Sequence, residues 1–126
     1  MPKLKNPTVK QLHKMLWKIV SKYIRERDKY ICFTCGARLD KYTADCGHFL
    51  HQAKTSKIAY EEKILHCQCV RCNNFMSGNL VEYTMKLINL YGLKQVEEWR
   101  RESHNVHKWK KEELKKLIEE YKIKKT

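Results

Sequence analysis

Two cysteine pairs, Cys32-Phe33-Thr34-Cys35 and Cys69-Val70-Arg71-Cys72, carry the most specific chemistry in this chain. A C-x-x-C turn offers two sulfurs from one tight loop, and two such turns supply the four thiolates of a tetrahedral structural zinc ion. Gly36, directly after the first pair, fits the tight turn of such a knuckle. Buried free thiols and a redox C-x-x-C are the competing readings of the same spacing. Cys67 could stand in for Cys69, but only Cys69 and Cys72 repeat the spacing of the first pair. Cys46 and Cys67 are therefore assigned to packing.

Between the pairs lies Asp45-Cys46-Gly47-His48-Phe49. Cutting a phosphodiester needs a base to activate water, a cation to stabilise developing charge, and positive surface to hold the strand. His48 is the candidate base. Asp45 is a carboxylate suited to a hard divalent cation such as Mg²⁺ or Mn²⁺. Asn73, next to the last cysteine, can add an amide oxygen. His51, His66 and Asn79 rank behind them. Two blander readings stay open: His48 only hydrogen-bonds the knuckle, or the chain is a zinc knuckle with basic helices that binds DNA and cuts nothing.

The charge balance names the partner class. With 27 Lys+Arg against 14 Asp+Glu in 126 residues, the formal charge is +13. A field of that sign attracts polyanions, nucleic acid first and an anionic membrane surface second. Lys14, Lys18, Lys22, Arg25 and Arg71 are the candidate DNA contacts. No apolar run reaches membrane-span length and no signal-peptide core is visible, so a soluble intracellular protein is expected. There, six cysteines read as metal ligands rather than disulfides.

These residues must be positioned by a small scaffold. The length predicts one domain over residues 1–126: a basic N-terminal helix within 1–29, a zinc core over 30–79, and C-terminal helices over 80–126. After a basic lead-in over residues 1–7, Thr8 is an N-cap. Leu12, Met15, Leu16, Ile19, Val20, Tyr23 and Ile24 then recur at helical spacing, ending near Asp28. Ala44 to Phe49 reads as a short strand ending at His48, and Leu50 to Ile64 as an irregular crossing loop. Helices resume with Leu80, Tyr83, Leu87, Ile88 and Tyr91, closed by Gly92. A shorter helix carries Val96 and Trp99. A last one carries Trp109, Leu114, Leu117, Ile118 and Tyr121 before a lysine-rich tail. The expected fold is mainly α with a small β-hairpin.

The combination of Tyr23-Ile24-Arg25-Glu26-Arg27-Asp28, Cys32-x-x-Cys35-Gly36, Asp45-x-Gly47-His48-Phe49, Gln68-Cys69-x-x-Cys72-Asn73, Ser77-Gly78-Asn79-Leu80 and His104-Asn105-x-His107-x-Trp109 resembles the NinG (Rap) family of lambdoid phages. The resemblance implies a recombination endonuclease that cuts branched DNA such as Holliday junctions and D-loops, on an HNH-like, treble-clef (ββα-metal) core. By the same resemblance Cys32, Cys35, Cys69 and Cys72 match the zinc ligands and His48 the general base. Asp45 and Asn73 match a catalytic Mg²⁺ or Mn²⁺ site. It also implies a phage or prophage gene, the bacterial host cytoplasm, and recombination proteins as partners. A homodimer would suit a two-fold junction. The chain departs from the HNH pattern in lacking an asparagine near Ile64 and a lysine near Met76, and in spacing Asp45 three residues before His48. The alternative is a zinc-stapled accessory protein of recombination that binds DNA without cleaving it. His104 and His107 could line the DNA path, cap the last helix or pack on Trp109, and a structural role is expected.

Overall fold

The computed structural model describes residues 5–124, apart from the side chains of Gln52 and Ala53. Part of the basic lead-in (1–4) and the end of the lysine-rich tail (125–126) lie outside the described residues. The chain is mostly helical around one small antiparallel sheet.

Helix α1, Val9–Arg27, starts where a capping box forms: the Gln11 amide donates to the Thr8 hydroxyl, and the Thr8 amide to the Gln11 side chain. Its fully buried stripe is Leu12, Leu16, Val20 and Ile24, a strict i,i+4 row, while Met15, Ile19 and Tyr23 are half-buried at its flanks. That stripe packs on α4, Lys111–Ile123, through Leu114, Ile118 and Tyr121, and on Cys46 and Leu65 of the sheet. Helix α2, Leu80–Tyr91, and α3, Leu93–Glu102, meet at Gly92 and form the second core. Tyr83, Leu87, Val96 and Trp99 there surround Phe49, Ile58 and Ile64. Gly92 has φ of 88°, the conformation the helix terminator was expected to supply.

Strand β1, Ala44–His48, pairs with β2, Leu65–Cys69, in the register Ala44↔Cys69 to His48↔Leu65. The sheet thus pairs Ala44 with Cys69, the first residue of the second cysteine pair, and leaves His48 at the opposite end, across from Leu65. The crossing segment is more ordered than expected, with 3₁₀ turns over His51–Thr55 and Glu62–Ile64. Trp109, expected inside the last helix, instead precedes α4 in extended chain, because the helix begins at Lys111.

The run Arg27-Asp28 fastens α1 to β2. Arg27 donates to the carbonyls of Glu62 (3.0 Å) and Leu65 (2.7 Å) and to Asp28 Oδ1 (2.8 Å). Asp28 Oδ2 accepts from the Cys67 amide (2.8 Å) and lies 3.4 Å from His66 Nδ1.

Candidate functional site

The four cysteines converge because three local devices bend the chain. Ile31 bridges to Arg38 and closes the first knuckle as a miniature hairpin, and the Phe33 amide docks it on the Cys67 carbonyl at 2.8 Å. The second knuckle runs from the end of β2 into a π-helical turn, Arg71–Phe75. Ser77, Gly78 and Asn79 then take positive φ in succession (49°, 94°, 50°), a reversal that glycine and asparagine tolerate best. It returns the Gly78 amide to the Cys72 carbonyl (2.8 Å) and puts Asn79 Nδ2 3.6 Å from Cys72 Sγ. Gln68, fully buried, links the two knuckles by donating to Thr34 Oγ1 (3.1 Å) and the Gly78 carbonyl (2.9 Å).

As a result the sulfurs of Cys32, Cys35, Cys69 and Cys72 all lie within 4.8 Å of one another. Cys35 and Cys69 are 3.7 Å apart, close to the edge of about 3.8 Å that Zn–S bonds of about 2.3 Å impose on a tetrahedron. The electrostatics also favour a cation. Burial opposes ionisation of Cys32, but donors from Thr34 and the amides of Cys35, Cys69 and Thr34 outweigh it and bring the thiol down to about 6. At Cys35 the Ala37 amide favours the thiolate. Burial and the crowd of neighbouring thiols win, and push it up to about 12. A group of thiols that cannot all ionise alone could do so around a metal ion such as zinc. Cys46 and Cys67 take no part. They face each other across the hairpin, buried, with burial raising both thiols, Cys67 to about 12.

Beside this centre a cavity of about 960 Å³ opens between α1 and the unpaired edge of β1. His13, Trp17, Ser21 and Arg25, an i,i+4 row, form one wall; at about 1.5 Å per residue that row runs for about 18 Å. Asp45 and His48 line the other side, with Lys54, Tyr60, Asn73 and Trp109 around them.

His48 ends β1 with its ring stacked on Trp17, centroids 4.6 Å apart and planes at 15°. Its Nε2–H donates to the Ala59 carbonyl at 3.2 Å, which makes Nδ1 the unprotonated nitrogen of the neutral ring. Burial, with smaller contributions from Lys54 and His51, outweighs that hydrogen bond and lowers its pKa to about 4. The ring is neutral at pH 7, as a base must be.

The turn that carries Ala59, whose amide donates to the Ser56 carbonyl (3.1 Å), is itself held from the C-terminal half. Ser56 bridges to Val106, the His107 amide donates to the Thr55 carbonyl (3.1 Å), and Trp109 Nε1 donates to the Ser56 carbonyl (3.2 Å). This gives the His104-Asn105-x-His107-x-Trp109 run a structural task. His107 packs edge-on against Trp109 at 4.8 Å and reaches Glu113 in the first turn of α4 at 3.0 Å.

Asp45 and Asn73 come together as expected, but through the amide nitrogen: Asn73 Nδ2 donates to Asp45 Oδ2 at 3.2 Å. Being three apart on a strand, Asp45 and His48 leave opposite sides of β1 and reach the same cavity around its edge. Of the expected DNA contacts, Lys14 and Arg25 line the cavity. Lys18, Lys22 and Arg71 are exposed outside it. Arg25 is partly spent on the backbone, donating to Ser21 and Lys41 carbonyls. His66, a weaker candidate, is a buried member of the Arg27–Asp28 tie, and Asn79 belongs to the cysteine centre. Sequence reasoning passed over His13, Trp17, Lys54 and Tyr60. Helical periodicity assigns none of them to the core stripe, and only the fold brings the crossing loop against α1.

Among the described residues no helix is long and apolar enough to cross a membrane. The family model for the bacteriophage lambda NinG protein matches residues 2–126. "Protein ninG" of Escherichia phage lambda is 40% identical over 103 residues, covering 81% of this chain and 50% of that protein. Its namesakes in Escherichia phage 933W and Salmonella phage P22 are each 39% identical over the same shares. The chain spans about half the length of these relatives. No solved structure matches it. On the extent of the family match and the identity to its phage members, the chain belongs to the NinG protein family.

Proposed function

We propose that the chain is a metal-dependent endodeoxyribonuclease with an HNH-like, treble-clef core, cutting branched recombination intermediates such as Holliday junctions and D-loops. The observation that carries this reading is His48: a neutral imidazole in a cationic cleft, with Nε2 pinned to Ala59 so that Nδ1 is the basic nitrogen. In that role Nδ1 takes the proton of the attacking water. Asp45, with Asn73 beside it, would hold Mg²⁺ or Mn²⁺, which supplies charge stabilisation at the phosphate. The four cysteines hold a zinc ion that fastens both knuckles and so fixes the hairpin carrying His48.

Lys14, Arg25 and Lys54 neutralise phosphates in the cleft, and Lys18, Lys22 and Arg71 extend the positive field around it. Preference for branched DNA then comes from shape and deformability rather than base readout. A two-fold junction suits a homodimer, other recombination proteins are natural partners, and the place of action is the host cytoplasm.

One observation favours the rival reading of a non-cleaving accessory protein. Asn73 meets Asp45 through its nitrogen, and Asp45 leaves β1 on the side opposite His48. The two readings separate in one experiment. Zinc-loaded protein is incubated with a labelled four-way junction, with and without added Mg²⁺ or Mn²⁺. Product that appears only with the cation supports the nuclease; tight binding with no product under either cation supports the accessory protein.

A further inference from the structure

One end of the cleft has no part in that chemistry. Along the α1 wall Trp17 covers His48, and one helical turn further toward the N-terminus the cavity is walled by rings. His13 lies nearly parallel to Tyr60, with centroids 5.9 Å apart and planes at 18°. Trp109 stands almost perpendicular to both, at 84° to His13 and 80° to Tyr60. His13 Nδ1 and the Tyr60 hydroxyl, 2.6 Å apart, lock two of the rings, and the indole bond to Ser56 locks the third. All three are half-buried and line the cavity, and Tyr60 and Trp109 also pack against the core. Lys14, adjacent to His13, and Lys54 line the same cavity.

Rigid rings framed by cations are how a single strand of nucleic acid is held, with the cations tracking phosphates and the rings taking bases. A base inside a duplex is already stacked on its neighbours and offers no face to such a wall. His13 lies about 6 Å along α1 from Trp17, close to the step between nucleotides of an extended strand.

We propose that His13, Tyr60 and Trp109 form a stacking subsite for an unpaired nucleobase next to the phosphate that faces His48. The inference rests on the nuclease reading for where the strand lies, and not on its being cut. To shape and deformability it adds a second source of preference for D-loops and flaps, whose single strands expose unpaired bases.

The test uses zinc-loaded full chain without added Mg²⁺ or Mn²⁺, so that nothing is cut. 2-Aminopurine is placed as the unpaired base at the branch of a flapped DNA and, separately, as a paired base in a continuous duplex. Wild type is expected to change the fluorescence of the unpaired probe and not of the paired one. His13→Ala and Tyr60→Leu should each lose that response and bind the branched DNA about tenfold more weakly. Both should still unfold cooperatively, at a somewhat lower melting temperature because the His13–Tyr60 hydrogen bond is lost, and their duplex affinity should stay unchanged. The subsite is overturned if both probes respond alike, if either well-folded variant keeps the wild-type response, or if branched and duplex affinity fall in equal proportion. A protein that stacks the probe yet cuts nothing with Mn²⁺ overturns the nuclease reading alone. One that cuts without stacking the probe overturns the subsite alone.

Discussion

Asp28 shows how much a single side chain outside the cleft contributes to the site. Burial alone would raise its pKa, but hydrogen bonds from His66, Arg27 and the Cys67 amide outweigh that and hold it below the ordinary carboxylate value. The folded protein therefore favours the ionised form. Its stabilisation is complete above the range in which the unfolded carboxylate titrates, and is lost as pH falls through the lower folded value. Asp28→Asn should cost about 2 kcal/mol at pH 7, with the gap from wild type closing as pH drops below about 4. Urea unfolding across that range measures it, and a gap independent of pH would refute the assignment. Gly47 illustrates what could be read from sequence only in part. The Asp45-x-Gly47-His48 motif is visible there, inside a predicted strand, but nothing local says why it needs a glycine. The reason is a close approach: a Cβ would lie 1.8 Å from Gln68 Oε1, on a side chain anchored to Thr34 and Gly78. Such a contact joins residues far apart in the chain, and no local pattern announces it.

Among the elements, the helices were legible because each repeats a buried stripe, and β1 because it is short and ends at a histidine. The sequence does not place strand β2. Leu65-His66-Cys67-Gln68-Cys69 alternates apolar and polar residues, but over only five positions, and its polar members His66 and Gln68 are as buried as the apolar ones through partners far along the chain. Trp109 stands five residues before Leu114, off the i,i+3/i+4 stripe of α4, and its indole is turned to the Ser56 carbonyl, a partner that only the fold brings near. The segment before α4 thus clamps the loop that orients His48. Trp109→Phe keeps the ring and deletes the N–H, a loss of about 1 kcal/mol of local hydrogen bonding. Amide exchange at Ala59 should speed up about fivefold, while the melting temperature moves little. Unchanged exchange there would show that the indole does not hold the loop.

At the scale of the whole molecule, the four-cysteine centre joins the two knuckles, and α1 packing on α4 ties the two ends of the chain around the sheet. The centre was readable from spacing alone. The cleft beside it was not, because its walls come from α1, the crossing loop and the segment before α4. If metal binding is coupled to folding here, Cys72→Ser should lose zinc and most of the cooperative thermal transition, as should chelation of the wild type. Full metal content with an unchanged transition would mean that the ligand set is wrong. His48 is the residue on which the proposed nuclease activity turns. Single-turnover cleavage of a labelled four-way junction with Mn²⁺ should give product from wild type and at least about a hundredfold less from His48→Ala. Zinc content and junction affinity should be the same in both. Cutting by His48→Ala at the wild-type rate, or no cutting by wild type under any cation, would contradict it.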